Sequence, residues 1–185
     1  MPDLVIRFPV PDDAPAVAEA VGESLAELGQ WMPWAHPAYA IPDALEWITA
    51  QAAGRADGSA FEFLVCDARG GLLGACGINC INKGNRFANL GYWVRTSATR
   101  RGVAVGAVAL VAAWSFEHTD LVRLEIVAAV GNLASRRVAE KAGALREGTL
   151  RSRLSIHGRP HDAVIYSLIR PPGVSRDADG ARLDA

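Results

Sequence analysis

Gly131-Asn132-Leu133-Ala134-Ser135-Arg136-Arg137-Val138-Ala139-Glu140-Lys141-Ala142-Gly143-Ala144 reads as a short helix with both ends marked. The Asn132 side-chain oxygen can accept a free backbone N–H of the first turn, so it is a strong N-cap. Ala134, Val138 and Ala142 recur every four residues and give the helix one apolar face. Lys141 lies in the last turn, where a cation suits the helix dipole, and Gly143 is the stop.

Arg123 to Val130 is a strand just before this helix. A long apolar helix precedes it, from about Val103 to Glu117, with Ala107, Leu110, Val111 and Trp114 on one stripe. Upstream lie three strand candidates: Phe61 to Cys66, Leu72 to Cys80 and Phe87 to Val94. Arg69-Gly70-Gly71 and Asn82-Lys83-Gly84-Asn85 mark the turns between them. The chain opens with a strand at Leu4 to Phe8, a helix from Pro11 to Leu28, an irregular aromatic segment over 29–37, and a helix from Pro42 to about Gly54. It closes with a strand pair, Leu145 to Ile156 and Ala163 to Ile169, around a turn at His157-Gly158-Arg159-Pro160. The order β-α-α-β-β-β-α-β-α-β-β is an α+β pattern with a mixed, mostly antiparallel sheet. One domain over 1–170 is expected. Residues 171–185, rich in Pro, Gly, Asp and Ala, are expected to be a disordered tail.

Composition excludes several classes. A chain of 185 residues, 50% apolar, can bury a single core. A net charge of −1 argues against a nucleic-acid grip, which needs a basic face. Gly102 to Phe116 is too short for a membrane span of about 20 residues, and no signal peptide is visible at Met1-Pro2-Asp3. Cys66, Cys76 and Cys80 are odd in number and lack zinc-site spacing. Reduced core cysteines, no metal and a cytoplasmic protein are expected.

The pattern Asn132-x-x-Ser135-x-x-Val138-x-x-Lys141-x-Gly143 resembles a coenzyme-contacting segment of the GCN5-related N-acetyltransferase (GNAT) superfamily. Asn132 and Ser135 point to its ribosomal-protein N-terminal acetyltransferase (RimJ/RimL-like) branch. The element order over 4–170 is also similar to that family's. The resemblance implies a sheet whose strands splay to hold acetyl-CoA, and transfer of an acetyl group to a primary amine by direct attack. The acceptor would be a peptide N-terminus or a small amine, and a homodimer is a further expectation. The loop Arg100-Arg101-Gly102-Val103-Ala104-Val105-Gly106 looks like the family's pyrophosphate loop, although Thr99 departs from the usual first position. Free N–H groups and the dipole at a helix start make such a loop an anion site. The strand end Gly91-Tyr92-Trp93-Val94-Arg95-Thr96 is similar to the edge that takes the pantetheine arm as an added strand. A backbone N–H near Val94 or Arg95 would be the oxyanion donor.

Two expected catalytic groups are missing. Many relatives carry Glu where this chain has Asn89, and Tyr where it has Ala139. By resemblance, Ser135 would then hydrogen-bond the leaving sulfur. The base stays open among Glu125, His118, His157, His161 and Asp162, each of which also has an ordinary structural reading. The closing signature Gly158-Arg159-x-His161-Asp162-x-x-x-Tyr166-Ser167-Leu168 looks like that of the branch, and its hairpin is a candidate wall of the amine pocket. Trp31, Trp34 and Trp47 are candidates for the opposite wall, or for core packing. Loss of the Glu and Tyr also leaves open a non-catalytic acyl-CoA sensor. A third reading is an interaction protein of the same α+β class with no cofactor.

Overall fold

In the computed structural model, which describes residues 3–173, alternating Leu4 and Ile6 build β1 (Leu4–Arg7) against β2 (Phe61–Asp67). β3 (Leu72–Asn82) and β4 (Phe87–Val94) continue the antiparallel meander. From β4 the chain crosses through α4 (Val103–His118) to β5 (Arg123–Ala129), which lies parallel to β4. A crossover helix is the usual way to join neighbouring parallel strands. After α5 (Leu133–Lys141), β6 (Leu145–Ile156) and β7 (Arg159–Ile169) form a hairpin, and β7 inserts beside β5. The result is one seven-stranded sheet in the order β1-β2-β3-β4-β5-β7-β6.

The sheet has a helical layer on each face. One core gathers α4, α5 and the sheet face carrying Val65, Cys76, Ile78, Leu90 and Leu124. The other packs α1 (Ala14–Glu23), α2 (Leu25–Leu28) and α3 (Ile41–Asp57) on Leu64, Cys66, Leu72 and Ala75. The fold class is α+β with a mixed, mostly antiparallel sheet. Among the described residues, no helix is long and apolar enough to cross a membrane.

Several boundaries differ from the sequence reading. The first helix is broken at Ser24, whose hydroxyl donates to Ala20 O (2.7 Å) and leaves α2 as a separate turn. β7 begins at Arg159, because the turn is only His157-Gly158. On α4 the buried stripe is Ala107, Val108, Val111, Ala112 and Ser115. Leu110 is exposed, since the helix is apolar on nearly every side and periodicity could not phase it. On α5 the inward positions are Val138, Ala139 and Ala142, while Ala134 faces solvent. Cys66 and Cys76 are buried as expected, but Cys80 is exposed at an irregularity near the end of β3. In the expected tail, Pro171 to Gly173 are exposed, and 174–185 lie outside the described residues.

Leu124 is fully buried and belongs to one of the few residue pairs joining β4 to β5, opposite Ala88. Leu124→Ala should cost about 2–5 kcal/mol, the usual range for such a cavity. Urea unfolding at constant m-value measures it.

Candidate active site

β4 and β5 are paired only at Phe87–Arg123, Ala88–Leu124 and Asn89–Glu125. Beyond that point each strand keeps its outer neighbour. β4 stays in register with β3 as far as Val94–Gly74, and β5 with β7 as far as Ala129–Ala163. The two halves of the sheet therefore part like a fork. Pairing with β3 fixes which backbone groups face the opening. Arg95 N–H donates to Leu73 O (2.9 Å). In an antiparallel ladder alternate residues turn to alternate sides, so Trp93 and Gly91 also turn to β3. The N–H of Leu90 is taken up by the last β4–β5 pair, and its C=O, with the N–H and C=O groups of Tyr92 and Val94, turns into the opening.

The end of β4 is held on the α1 side by a cluster of charged hydrogen bonds. The Arg95 guanidinium pairs with Glu19 (2.9 Å) and Glu23. Ser97 N–H donates to Glu23 (2.6 Å), Thr96 N–H to Ser24 Oγ (2.9 Å), and the Thr96 hydroxyl to Glu27 (3.0 Å). Arg95 and Thr96, read from the sequence as coenzyme contacts, thus have these groups already committed to α1 and α2. Between Val94 and Arg95, only Val94 has its N–H turned into the fork.

Next along the chain, Arg100 and Gly102 adopt left-handed backbone (φ 61° and 79°), a conformation that favours glycine. Gly102 is the N-cap of α4 and supplies no side chain to its first turn. The first intrahelical bond is Gly106 N–H to Gly102 O (3.0 Å), so the N–H groups of Val103, Ala104 and Val105 have no helical acceptor. Arg100 and Arg101 are exposed beside them. Gly106 has a different place from the one expected. It is buried, and a Cβ there would lie 2.7 Å from the Leu4 side chain, so it lets α4 approach β1.

Across the fork, Asn132 Oδ1 accepts Ser135 N–H (3.0 Å), the expected cap. Tyr92 reaches from β4 to the same turn. Its hydroxyl lies 2.9 Å from Ser135 O and 3.0 Å from Ser135 Oγ. A phenol has one proton. When that proton goes to the carbonyl, Ser135 Oγ–H is the donor to Tyr92. Burial raises the Tyr92 pKa, so the phenol stays neutral. Trp31 lies over Gly131, and His157 Nε2 is 2.7 Å from Gly29 O. The 29–37 segment thus spans from the N-terminal helices to the α5 entry and the closing hairpin.

On the α1–α3 face of β4 lies a cavity of about 630 Å³. Trp34, Tyr39, Trp47 and Trp93 form its aromatic walls, and Gly91 and Ala75 lie on its sheet side. Trp34 and Trp47 are where the sequence suggested, whereas Trp31 and the closing hairpin do not line the cavity. None of the five base candidates lines it either. Glu125 is tied to Arg123 (2.8 Å), His118 contacts Trp114 O, and Asp162 accepts Ser152 N–H.

Of the carboxylates that do line the cavity, the one on its sheet side is Glu62 of β2, which the sequence reading passed over. It lies in register with Gly77, which lies in register with Gly91. A Cβ on Gly77 would overlap the Glu62 carboxyl group. Asn89 donates to Asn79 (3.0 Å), and Asn79 donates to Glu62 Oε1 (3.1 Å). Burial pushes the Glu62 carboxyl up to about 7, against the smaller opposing effect of the Asn79 hydrogen bond. The available signal was a lone carboxylate inside an apolar strand, with a glycine on the neighbouring strand.

Residues 3–145 match the family model of the acetyltransferase (GNAT) domain. The chain belongs to the GNAT acetyltransferase family. It is 34% identical over 176 residues to a Bacillus subtilis (strain 168) protein named "Putative ribosomal N-acetyltransferase YdaF", covering 90% of this chain and 91% of that one. A crystal structure of a "Probable acetyltransferase" superposes with a TM-score of 0.82 at 32% identity, over 91% of this chain and 93% of the other. Mycobacterium smegmatis RimJ, in complex with CoA-disulfide, superposes with a TM-score of 0.82 at 25% identity, over 90% and 81%.

As a GNAT enzyme the chain is an acetyl-CoA-dependent N-acyltransferase. Its residues suit that co-substrate. The fork offers unpaired strand groups for an amide-rich arm, and the α4 start offers free N–H donors with two arginines for phosphates. Among the described residues no cluster of His, Cys, Asp or Glu could hold a metal ion.

Hydrogen bonds from Arg95 and Ser97 hold the Glu23 carboxyl at about 2, below its ordinary 4.5. A carboxyl lowered in the folded state stabilises it above the ordinary pKa, and that contribution is lost as pH falls toward 2. Urea midpoints should therefore decline from pH 4.5 to 2. Glu23→Gln should flatten that decline, leaving the part due to Glu147, also held at about 2 by Arg123.

Proposed function

We propose that a single catalytic domain over 1–170 transfers an acetyl group from acetyl-CoA, held in the β4–β5 fork, to a primary amine entering from the aromatic cavity. The carrying observation is the end of β4–β5 pairing at Asn89–Glu125. One edge of β4 faces the fork and one face lines the cavity, so the two substrates would meet at Gly91 to Val94. Peptide-like groups of the coenzyme arm would pair with Leu90, Tyr92 and Val94. The N–H groups of Val103, Ala104 and Val105, with Arg100 and Arg101, would take the pyrophosphate below the Gly102 turn.

Val94 N–H is the donor to the carbonyl oxygen as charge develops on it. Ser135 Oγ is the donor to the departing sulfur once the Tyr92 phenol turns its proton from Ser135 O to Oγ, so that Tyr92 donates to and orients the serine through the 3.0 Å contact. Asn132 has its Oδ1 in the α5 cap, which leaves Nδ2 to contact the coenzyme. Arg95, Thr96 and Gly106 position these groups without touching the coenzyme. The YdaF relative carries a name that refers to ribosomal acetylation, and a peptide N-terminus of that kind is one acceptor within this reading. The three free cysteines are consistent with a cytoplasmic setting.

Acetyl-CoA should raise the melting temperature by mass action, and no shift at saturating coenzyme would contradict the site. Ser135→Ala should lower turnover roughly tenfold or more, about 1.4 kcal/mol in the barrier, with coenzyme Kd unchanged. Asn132→Ala should weaken coenzyme binding, measured well below melting because loss of the cap itself costs about 1 kcal/mol. Release of free thiol with an amine panel distinguishes transfer from coenzyme binding without turnover.

A further inference from the structure

We propose that Glu62 is a catalytic residue that takes the proton from the acceptor amine, and that the cavity around it selects an organic ammonium ion over an anionic acceptor. This rests on the acetyl-transfer reading above.

The strand position where many relatives carry a base holds Asn89, which cannot accept a proton at neutral pH. Asn89 instead begins a chain of two amide hydrogen bonds that ends on Glu62 Oε1. The carboxylate has thus moved from β4 to β2, and Asn79 bridges the intervening strand. Only Oε1 is occupied by that chain. Among the described residues Oε2 accepts no hydrogen bond, and it lies over Gly77, on the row Glu62–Gly77–Gly91 that crosses to β4. The two glycines keep this row clear of side chains. An amine at the β4 side of the cavity would therefore face a carboxylate oxygen across bare backbone, directly or through one water.

The surrounding charge favours a cation. Asp43 and Glu46 of α3 also line the cavity, and no lysine or arginine does so among the described residues. The other titratable groups lining the cavity are His36 and Tyr39 from the irregular segment and Tyr92 of β4, whose ring packs into the opposite core; the buried Cys76 of β3, also on that opposite face, meets Glu62 only through its charge. Tyr92 and Cys76 have raised pKa values and stay neutral. Trp34, Trp47 and Tyr39 present faces to which an ammonium ion or its apolar body can bind. Trp34, 42% exposed, stands where the acceptor would enter.

The step balances without another reactant. An ammonium nitrogen gives one proton to Glu62. Its freed lone pair forms the C–N bond to the acetyl carbon while the C–S bond breaks. The nitrogen's second proton matches the one the sulfur takes up, and the proton on Glu62 passes to solvent. A carboxyl poised near neutrality is well placed for this with an α-amine, whose own pKa is about 7.7–8.0.

The test compares the full chain with Glu62→Gln, which keeps the hydrogen bond from Asn79, using thiol release with 2-phenylethylamine, an alanine-initiated peptide amide and an aspartyl-aspartate peptide. The parent should favour the first two. Its kcat/KM should rise with pH through a limb near 7. Glu62→Gln should lose roughly a hundredfold in kcat at pH 7, lose that limb, and recover toward the parent as the amine deprotonates at high pH. Its coenzyme Kd should not change. Carboxyl NMR of the parent should show Glu62 titrating near 7, and falling when 2-phenylethylamine binds without coenzyme. An unchanged pH profile in Glu62→Gln, or a preference for the acidic peptide, would overturn the inference and leave acetyl transfer intact. Absence of thiol release with every amine, despite coenzyme binding, would sink both.

Discussion

The charged cluster between Arg95 and α1 keeps the two halves of the sheet apart. A strand such as β4, with free N–H and C=O groups along one edge, would ordinarily recruit the next strand in the chain. β5 is that strand, yet only three residue pairs form. Glu19 and Glu23 hold Arg95, Ser24 and Glu27 hold Thr96, and so the end of β4 is fixed to the N-terminal helices. On the other side, β5 is committed along its full length to β7. Each strand is tied outward, and the fork follows.

From the fork the other parts take their places. The α4 start lies at the end of the loop that leaves β4, so its free N–H groups sit near the open end. The α5 start follows β5 and faces β4 across the gap, where Tyr92 and Ser135 touch. The aromatic segment passes from α2 over to Gly131 and His157, joining the outer ends of both halves. The Tyr92 ring packs into the α4–α5 core while its neighbour Trp93 lines the cavity, so coenzyme and amine would approach one strand from different sides.

Much of this was legible in the sequence. The element order, the Asn132 cap and the Gly102 turn are local features, set by residues a few positions apart. What was missed depends on contacts between distant segments. Nothing near Arg95 announces Glu19 and Glu23, more than seventy residues earlier. Gly106 looked like part of a phosphate loop, and only the approach of Leu4 explains it. Ala134 fitted an apolar period, yet the α5 face was set by what packed on it. Glu62 was hidden for the same reason, because its meaning comes from Gly77 and Asn79 on the neighbouring strand.

Amide hydrogen exchange with and without acetyl-CoA tests the fork most directly, since it reads backbone groups one by one. Exchange at Tyr92, Val94 and the first turn of α4 should slow on adding coenzyme, while Gly91 and Trp93, already bonded to β3, should change little. Uniform protection of odd and even residues along β4, or none, would contradict a coenzyme lying between these strands.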